Sequence, residues 1–176
     1  MVVIISCNDT SFFLIFWVFL GMFLGMTLKI AAKIDKVDRE YFHNEVEPLF
    51  NNRFVEYVGE IGEREKNEFL GNAYAFLFPI NWREPFGLVM IESMACGTPV
   101  IAFREGSVPE VMKDGVTGYI VGDVESAVTA VQQVPALSRK ICRRYFEDHF
   151  TASRMALDYA AIYRRLIDRQ AENAVA

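Results

Sequence analysis

Phe76-Leu77-Phe78-Pro79-Ile80-Asn81-Trp82-Arg83-Glu84-Pro85-Phe86-Gly87-Leu88-Val89-Met90-Ile91-Glu92-Ser93-Met94-Ala95-Cys96-Gly97-Thr98-Pro99-Val100-Ile101 is the stretch whose reading decides the fold. The apolar run Ala73 to Ile80 reads as a buried strand. A polar loop, Asn81 to Glu84, follows, and Pro85 biases Glu84 toward extended backbone while presetting its own φ for a helix start. The pattern predicts a helix from Phe86 to Cys96 with Leu88, Ile91, Met94 and Ala95 on one apolar face. Gly97 and Pro99 stop it. A second strand, Pro99 to Phe103, completes a strand–helix–strand unit, and such units build parallel sheets. The fold class is therefore α/β, a Rossmann-like parallel sheet with helices on both faces.

Two carboxylates frame the start of the central helix. Glu84 precedes it and Glu92 lies in its second turn. Between them the N–H groups of Phe86, Gly87 and Leu88 are expected to lack intrahelical acceptors, and Gly87 has no side chain to block approach. A helix N-terminus at the end of a parallel strand suits an anion, most often phosphate. From Gly87 to Glu92 the rise is roughly 7–8 Å at ~1.5 Å per residue, so one carboxylate can lie on each side of a diphosphate. Carboxylates accept hydrogen bonds from vicinal hydroxyls. Hydroxyls, phosphates, then hydroxyls is the layout of a nucleoside diphosphate sugar.

Glu84, seven intervening residues and Glu92, written E-P-F-G-L-V-M-I-E, resemble the E-x7-E motif of retaining glycosyltransferases of family 4, which have the GT-B fold. Three further motifs are similar to those of that family: Met94-Ala95-Cys96-Gly97-Thr98-Pro99-Val100-Ile101, Gly106-Ser107-Val108-Pro109-Glu110 and Asp114-Gly115-Val116-Thr117-Gly118-Tyr119. The resemblance runs from about Leu28 to Arg165 and concerns the C-terminal, donor-binding half of a GT-B enzyme. It implies transfer of a hexosyl group from a nucleotide diphosphate sugar to an acceptor hydroxyl with retention. It implies that Glu84 is catalytic and contacts the donor sugar. By the same resemblance Phe86, Gly87 and Leu88 hold sugar and phosphate, Glu92 holds the ribose, and Gly59 lies near the base. It implies no metal and no cofactor beyond the donor substrate. The acceptor is unspecified, and its domain would belong to a separate chain. The other readings are a nucleotide-sugar-binding module without activity of its own, as a pseudoenzyme or half of a split enzyme, and a nucleotide-sugar epimerase of similar architecture.

The chain has 176 residues, which suits one domain and is about half of a two-domain enzyme of this kind. Its 23 acidic and 18 basic residues give a net charge of −5, which argues against a nucleic-acid partner. Three cysteines, Cys7, Cys96 and Cys142, form neither a disulfide framework nor a zinc-ligand spacing. They fit a reducing compartment.

Residues 1–28 differ from the remainder, and the boundary is drawn there, with 29–176 as the nucleotide-sugar-binding domain. Val2 to Ile5 has the composition of a strand. Phe12 to Leu28 carries no charge over 17 residues, the short end of what spans a bilayer. Lys29, Lys33 and Lys36 follow, and the positive-inside rule would leave the domain cytoplasmic. Three readings fit: a membrane-spanning or membrane-lying helix that anchors the domain through residues 12–28, a buried helix in the first strand–helix slot, and a start foreign to the domain. In the family this region carries a glycine-arginine turn and a lysine that grip the donor phosphates. Here no Arg or Lys precedes Lys29.

Farther along, Leu28 to Ile34 and Arg53 to Val58 read as strands. Asp38 to Glu47 reads as a helix ended by Pro48, with Asp35 or Asp38 as its cap. Glu63 to Gly71 is a short helix. Ser107 and Glu110 have the spacing of a capping box. Gly118 to Val121 is the last strand, and Asp123 to Val134, Ser138 to Phe150 and Ala152 to Arg169 read as helices. Arg139, Lys140, Arg143 and Arg144 read as a solvated basic face.

Overall fold

A computed structural model describes residues 2–6, 25–51 and 53–175, with the backbone alone for 2–6 and 171–175. Six strands within it form one parallel sheet: β1 (Val2–Ser6), β2 (Leu28–Ala32), β3 (Val55–Gly59), β4 (Ala75–Phe78), β5 (Val100–Phe103) and β6 (Gly118–Val121). Their order is β3-β2-β1-β4-β5-β6. β1 lies between β2 and β4, with Val2 opposite Leu28 on one side and Ala75 on the other. The order reverses between β1 and β4, and in open α/β sheets ligands bind outside the carboxyl ends of the strands at such a switch point.

β4 and β5 are buried on both faces because they are apolar at every position. In β4, Ala75 and Leu77 enter one core while Phe76 and Phe78 enter the other. In β5, Ile101 and Phe103 take the first side, Val100 and Ala102 the second. This is the period of two of a pleated strand. Each large side chain so buried is worth roughly 1.5–3 kcal/mol.

The helices are α1 (Glu63–Gly71), α2 (Leu88–Ala95), α3 (Val108–Val111), α4 (Val124–Gln133), α5 (Arg139–His149) and α6 (Ala152–Val175). α4 packs its Ala127, Ala130 and Val131 into the first core. Met90 and Met94 of α2 and Cys142 of α5 fill the second. α6 leaves Met155, Leu157, Tyr159, Ile162, Tyr163, Leu166 and Ile167 exposed.

Several expectations are corrected. The helix expected from Asp38 to Glu47 is one α-turn at Arg39–Tyr41, a π segment at Phe42–Val46 and a 3-10 turn at Glu47–Phe50. Pro48 does not end it but occupies the start of the 3-10 turn, where its missing N–H costs nothing. Asp38 precedes the first turn without a side-chain cap bond, because its backbone is helical rather than extended. The capping box at Ser107 does not form for the same reason. Ser107 has φ −76° and ψ −7°, and its buried hydroxyl has no hydrogen-bond partner.

The basic face of α5 is exposed at Arg139, Lys140, Arg143 and Arg144, as expected, and two of these side chains also reach backbone carbonyls. Arg139 donates to the carbonyls of Ala73 and Gly71 at 2.6 and 2.7 Å and to the Thr98 hydroxyl at 2.7 Å. Arg143 donates to the carbonyl of Ala95. Arg139 reaches the carboxyl ends of α1 and α2 and Arg143 that of α2, where helix carbonyls lack partners.

The uncharged stretch Phe12 to Leu28 lies, up to residue 24, outside the described residues. Among the described residues no helix is long and apolar enough to cross a membrane.

Cys142 sits at the base of α5 and is fully buried. Its thiol contacts the carbonyls of Thr98 and Thr117 at 3.6 and 3.7 Å. Burial pushes its pKa up to about 12 against the pull of Arg139, so the thiol stays protonated across the neutral range. Iodoacetamide at pH 8 should therefore leave Cys142 unmodified in the native chain and alkylate it in urea. Peptide mass spectrometry of the two samples checks this, and equal labelling would show that the α5 packing opens readily.

Candidate functional site

The loop after β4 carries the first candidate acid to the carboxyl edge of the sheet. Helix α2 begins later than the spacing predicts, at Leu88, because Gly87 takes a left-handed conformation with φ +75°. A β-carbon there would lie 2.5 Å from the tip of the Met90 side chain, and the left-handed backbone angle favours glycine at this position. The late start also turns the helix. Met90, Ser93 and Met94 are its buried face, and Leu88, expected in the core, is 64% exposed.

Glu84 is held from both ends. Its carbonyl accepts the Ser107 N–H at 3.0 Å. Its carboxylate accepts the indole N–H of Trp82 at 3.0 Å through Oε2. Oε1 accepts the N–H of Gly87 at 3.0 Å and, at the limit of a hydrogen bond, that of Phe86 at 3.5 Å. Two of the three backbone N–H groups expected to face a phosphate therefore point at Glu84 itself. A carboxylate has about four lone-pair sites, so at least one remains for a further donor.

The loop after β5 buttresses this arrangement. Gly106 has φ +51° and packs directly on the backbone of Glu84, where a β-carbon would lie 2.4 Å from its nitrogen and 2.5 Å from its oxygen.

Glu92 sits one turn farther along α2, half-buried. Its Oε1 accepts the ammonium of Lys66 from α1 at 3.1 Å, and the same ammonium meets Glu63 at 2.8 Å. Sequence reasoning missed Lys66. The only signal available was its place on α1, in the helix before the central strand, and nothing in the spacing pairs residues 66 and 92. Gly59 ends β3 with φ +78° and open space where a β-carbon would stand. It lies, like Glu84, at the carboxyl edge. Arg83 and Arg104 are exposed residues of the loop after β4 and of the end of β5.

A groove of about 470 Å³ runs between β6 and α4, lined by Asp114, Tyr119, Asp123, Glu125 and Gln133 among others. It contains neither Glu84 nor Glu92. Asp114 accepts the Ile120 N–H and Asp123 caps α4 through Ser126, so these two acids have structural work. Among the described residues no group of three or more His, Cys, Asp or Glu side chains is placed to hold a metal ion.

The family model for glycosyl transferases group 1 matches residues 17–145, and the chain belongs to that family. It is 37% identical over 89 residues to the N-acetyl-alpha-D-glucosaminyl L-malate synthase of Bacillus anthracis, an alignment covering 46% of this chain and 23% of the relative. Over 81 residues it is 36% identical to a phosphatidyl-myo-inositol mannosyltransferase of Propionibacterium freudenreichii, covering 44% and 21%. Among solved structures, sucrose-phosphate synthase from Thermosynechococcus elongatus superposes with a TM-score of 0.78 at 26% identity, over 96% of this chain and 46% of that one. The Anabaena protein Alr3699/HepE, solved with UDP and glucose, superposes with a TM-score of 0.74 at 16% identity, over 93% and 48%. The chain thus spans about half the length of these solved chains and less than a quarter of the two curated relatives.

Gly106→Ala should cost about 2 kcal/mol, because the β-carbon must displace the Glu84 backbone and the left-handed angle is strained. Urea unfolding monitored by circular dichroism measures it. A loss within about 0.5 kcal/mol would mean that the two loops are not packed as described.

Proposed function

We propose that the chain is the donor-binding half of a retaining glycosyltransferase of family 4, which transfers a hexosyl group from a nucleotide diphosphate sugar to an acceptor hydroxyl. The observation that carries this reading is the placement of Glu84 and Glu92 on either side of the left-handed start of α2 at the carboxyl edge of the sheet. The family match and the UDP bound to HepE support the ligand class.

In this reading Glu84 accepts hydroxyls of the donor sugar and stabilises the positive charge that develops at its anomeric carbon. The donor takes over the Gly87 N–H that Glu84 now holds, and the N–H groups of Phe86, Gly87 and Leu88 carry sugar and phosphate oxygens. The exchange is inexpensive, since a hydrogen bond traded for one of equal quality changes the free energy by about 1 kcal/mol or less. Glu92 accepts the ribose hydroxyls, and Gly59 gives the base close access to the backbone. The start of α2 supplies part of the electrostatic stabilisation of the leaving diphosphate that a divalent ion would otherwise supply, so the reaction is metal-independent.

Calorimetric titration with UDP, GDP, ADP and their glucose conjugates tests the donor site. Binding of one base series is expected. Glu92→Ala should weaken every nucleotide of that series at least tenfold, whereas Glu84→Gln should weaken only the sugar conjugates. Equal losses for nucleotide and conjugate from the Glu84 change would overturn the division of roles, and no binding of any nucleotide would overturn the donor reading.

A further inference from the structure

Lys66 is a lysine whose burial needs a reason. Its side chain is only 19% exposed, and lysines are seldom so covered unless paired. It lies on α1, and its ammonium bridges two acids: Glu63 on its own helix at 2.8 Å and Glu92 on α2 at 3.1 Å. Glu63 is 86% exposed on the surface, while Glu92 is 34% exposed.

Stability is a weak explanation for the pair. Partly exposed ion pairs of this kind contribute about 0–1 kcal/mol, against the entropy of fixing two long side chains. The geometric effect is larger. A lone glutamate on a helix surface samples several rotamers, whereas a partly buried ammonium between α1 and α2 confines Glu92 to those within its reach. Burial pulls the Lys66 pKa down, but the hydrogen bonds to Glu63 and Glu92 outweigh it and hold the value above that of an ordinary lysine, so the clamp stays charged at every physiological pH.

The hydrogen-bond capacities leave room for a ligand. An ammonium has three donors, and two are used. Of about four lone-pair sites on the Glu92 carboxylate, Lys66 takes one. Three acceptor sites and one donor are the complement of a vicinal diol, whose two hydroxyls can both donate and accept.

We propose that Lys66 is the positioning residue for the ribose-binding carboxylate: it fixes Glu92 between α1 and α2 so that the carboxylate meets both hydroxyls of a nucleoside diphosphate at once. This rests on the donor-binding reading above and deepens it. Glu63 serves as the second anchor of the ammonium, setting where between the two helices the charge stands.

The test is calorimetric titration of the full chain with UDP and 2′-deoxy-UDP, or with the matching GDP or ADP pair if the wild type prefers that base. Lys66→Met should weaken the ribonucleotide about tenfold, equivalent to about 1.4 kcal/mol. It should change the 2′-deoxynucleotide by less than about twofold. Lys66→Arg, which keeps the charge and reaches both helices, should recover most of the loss. In a Glu92→Gln background Lys66→Met should add almost nothing. Should Lys66→Met not fold, Lys66→Gln replaces it, since it keeps a polar end without the charge. A structural tie between helices would lower the melting temperature and leave the preference for ribose over deoxyribose unchanged, which overturns the proposal. Equal weakening of both nucleotides also overturns it, by showing a general charge effect on the diphosphate. Normal wild-type binding with an unaffected Lys66 variant sinks this inference alone. A wild type that binds no nucleoside diphosphate sinks the donor reading and this inference with it.

Discussion

The contact of Gly106 with the backbone of Glu84 is the constraint on which the site depends. It joins the loop after β4 to the loop after β5 at the carboxyl edge of the sheet, with the Ser107 N–H bonded to the Glu84 carbonyl at 3.0 Å. The backbone of the acid is therefore fixed by a neighbouring strand's loop and not by the helix it precedes. Its carboxylate is satisfied locally, by Trp82, Gly87 and, weakly, Phe86. These two kinds of restraint differ in strength. Moving the backbone means breaking packed contact between two loops, while each hydrogen bond to the carboxylate can be traded for an equivalent one at a net cost of about 1 kcal/mol. Placement is rigid and the hydrogen bonding is replaceable, as a group that must meet a ligand requires.

The same division recurs behind the site. α5 is tied to the ends of α1 and α2 by Arg139 and Arg143, which donate to carbonyls at helix carboxyl termini. Those carbonyls lack intrahelical donors and carry the negative end of the helix dipole, so a guanidinium with its planar set of donors satisfies several at once. Thr98 joins this network, accepting from Arg139 and donating to the Leu70 carbonyl at 2.7 Å. The turn between α2 and β5 is thereby locked, which holds the helix carrying Glu92 in register with the strand that ends at Phe103.

The sheet was legible because its signals are local. Phe76 and Phe78 against Leu77, and Val100 and Ala102 against Ile101, are buried on opposite faces, and a period of two with punctuation by Gly and Pro is sufficient to place such strands. The order of Glu84 and Glu92 about a helix start was legible for the same reason. What sequence reading missed depends on distant partners or on one dihedral angle. Leu88 was placed in the core because the helix was started two residues early, and the left-handed Gly87 is a backbone choice that a glycine permits but does not announce. Ser107 and Glu110 have capping-box spacing, yet Ser107 is itself helical, and a cap needs extended backbone. Arg139 is exposed as expected, but its bonds to the carbonyls of Ala73 and Gly71, more than sixty residues earlier in the chain, leave no local trace. The Lys66–Glu92 pair joins residues 26 apart and leaves no periodic trace.

Electrostatics links these particulars. A diphosphate brings negative charge between two glutamates, and a pair of like charges at about 6 Å repels by about 3 kcal/mol at an effective dielectric constant of ~20. Unscreened, the two acids that would recognise the hydroxyls would also expel the phosphates between them. Each glutamate here has its own compensation. Glu84 draws on the indole of Trp82 and the N–H groups at the left-handed start of α2, which carry partial positive charge. Glu92 draws on the full charge of Lys66. Lys66 and the opening of α2 are sources of positive charge that already touch the acids, and on the donor-binding reading they let two carboxylates share one site with a diphosphate.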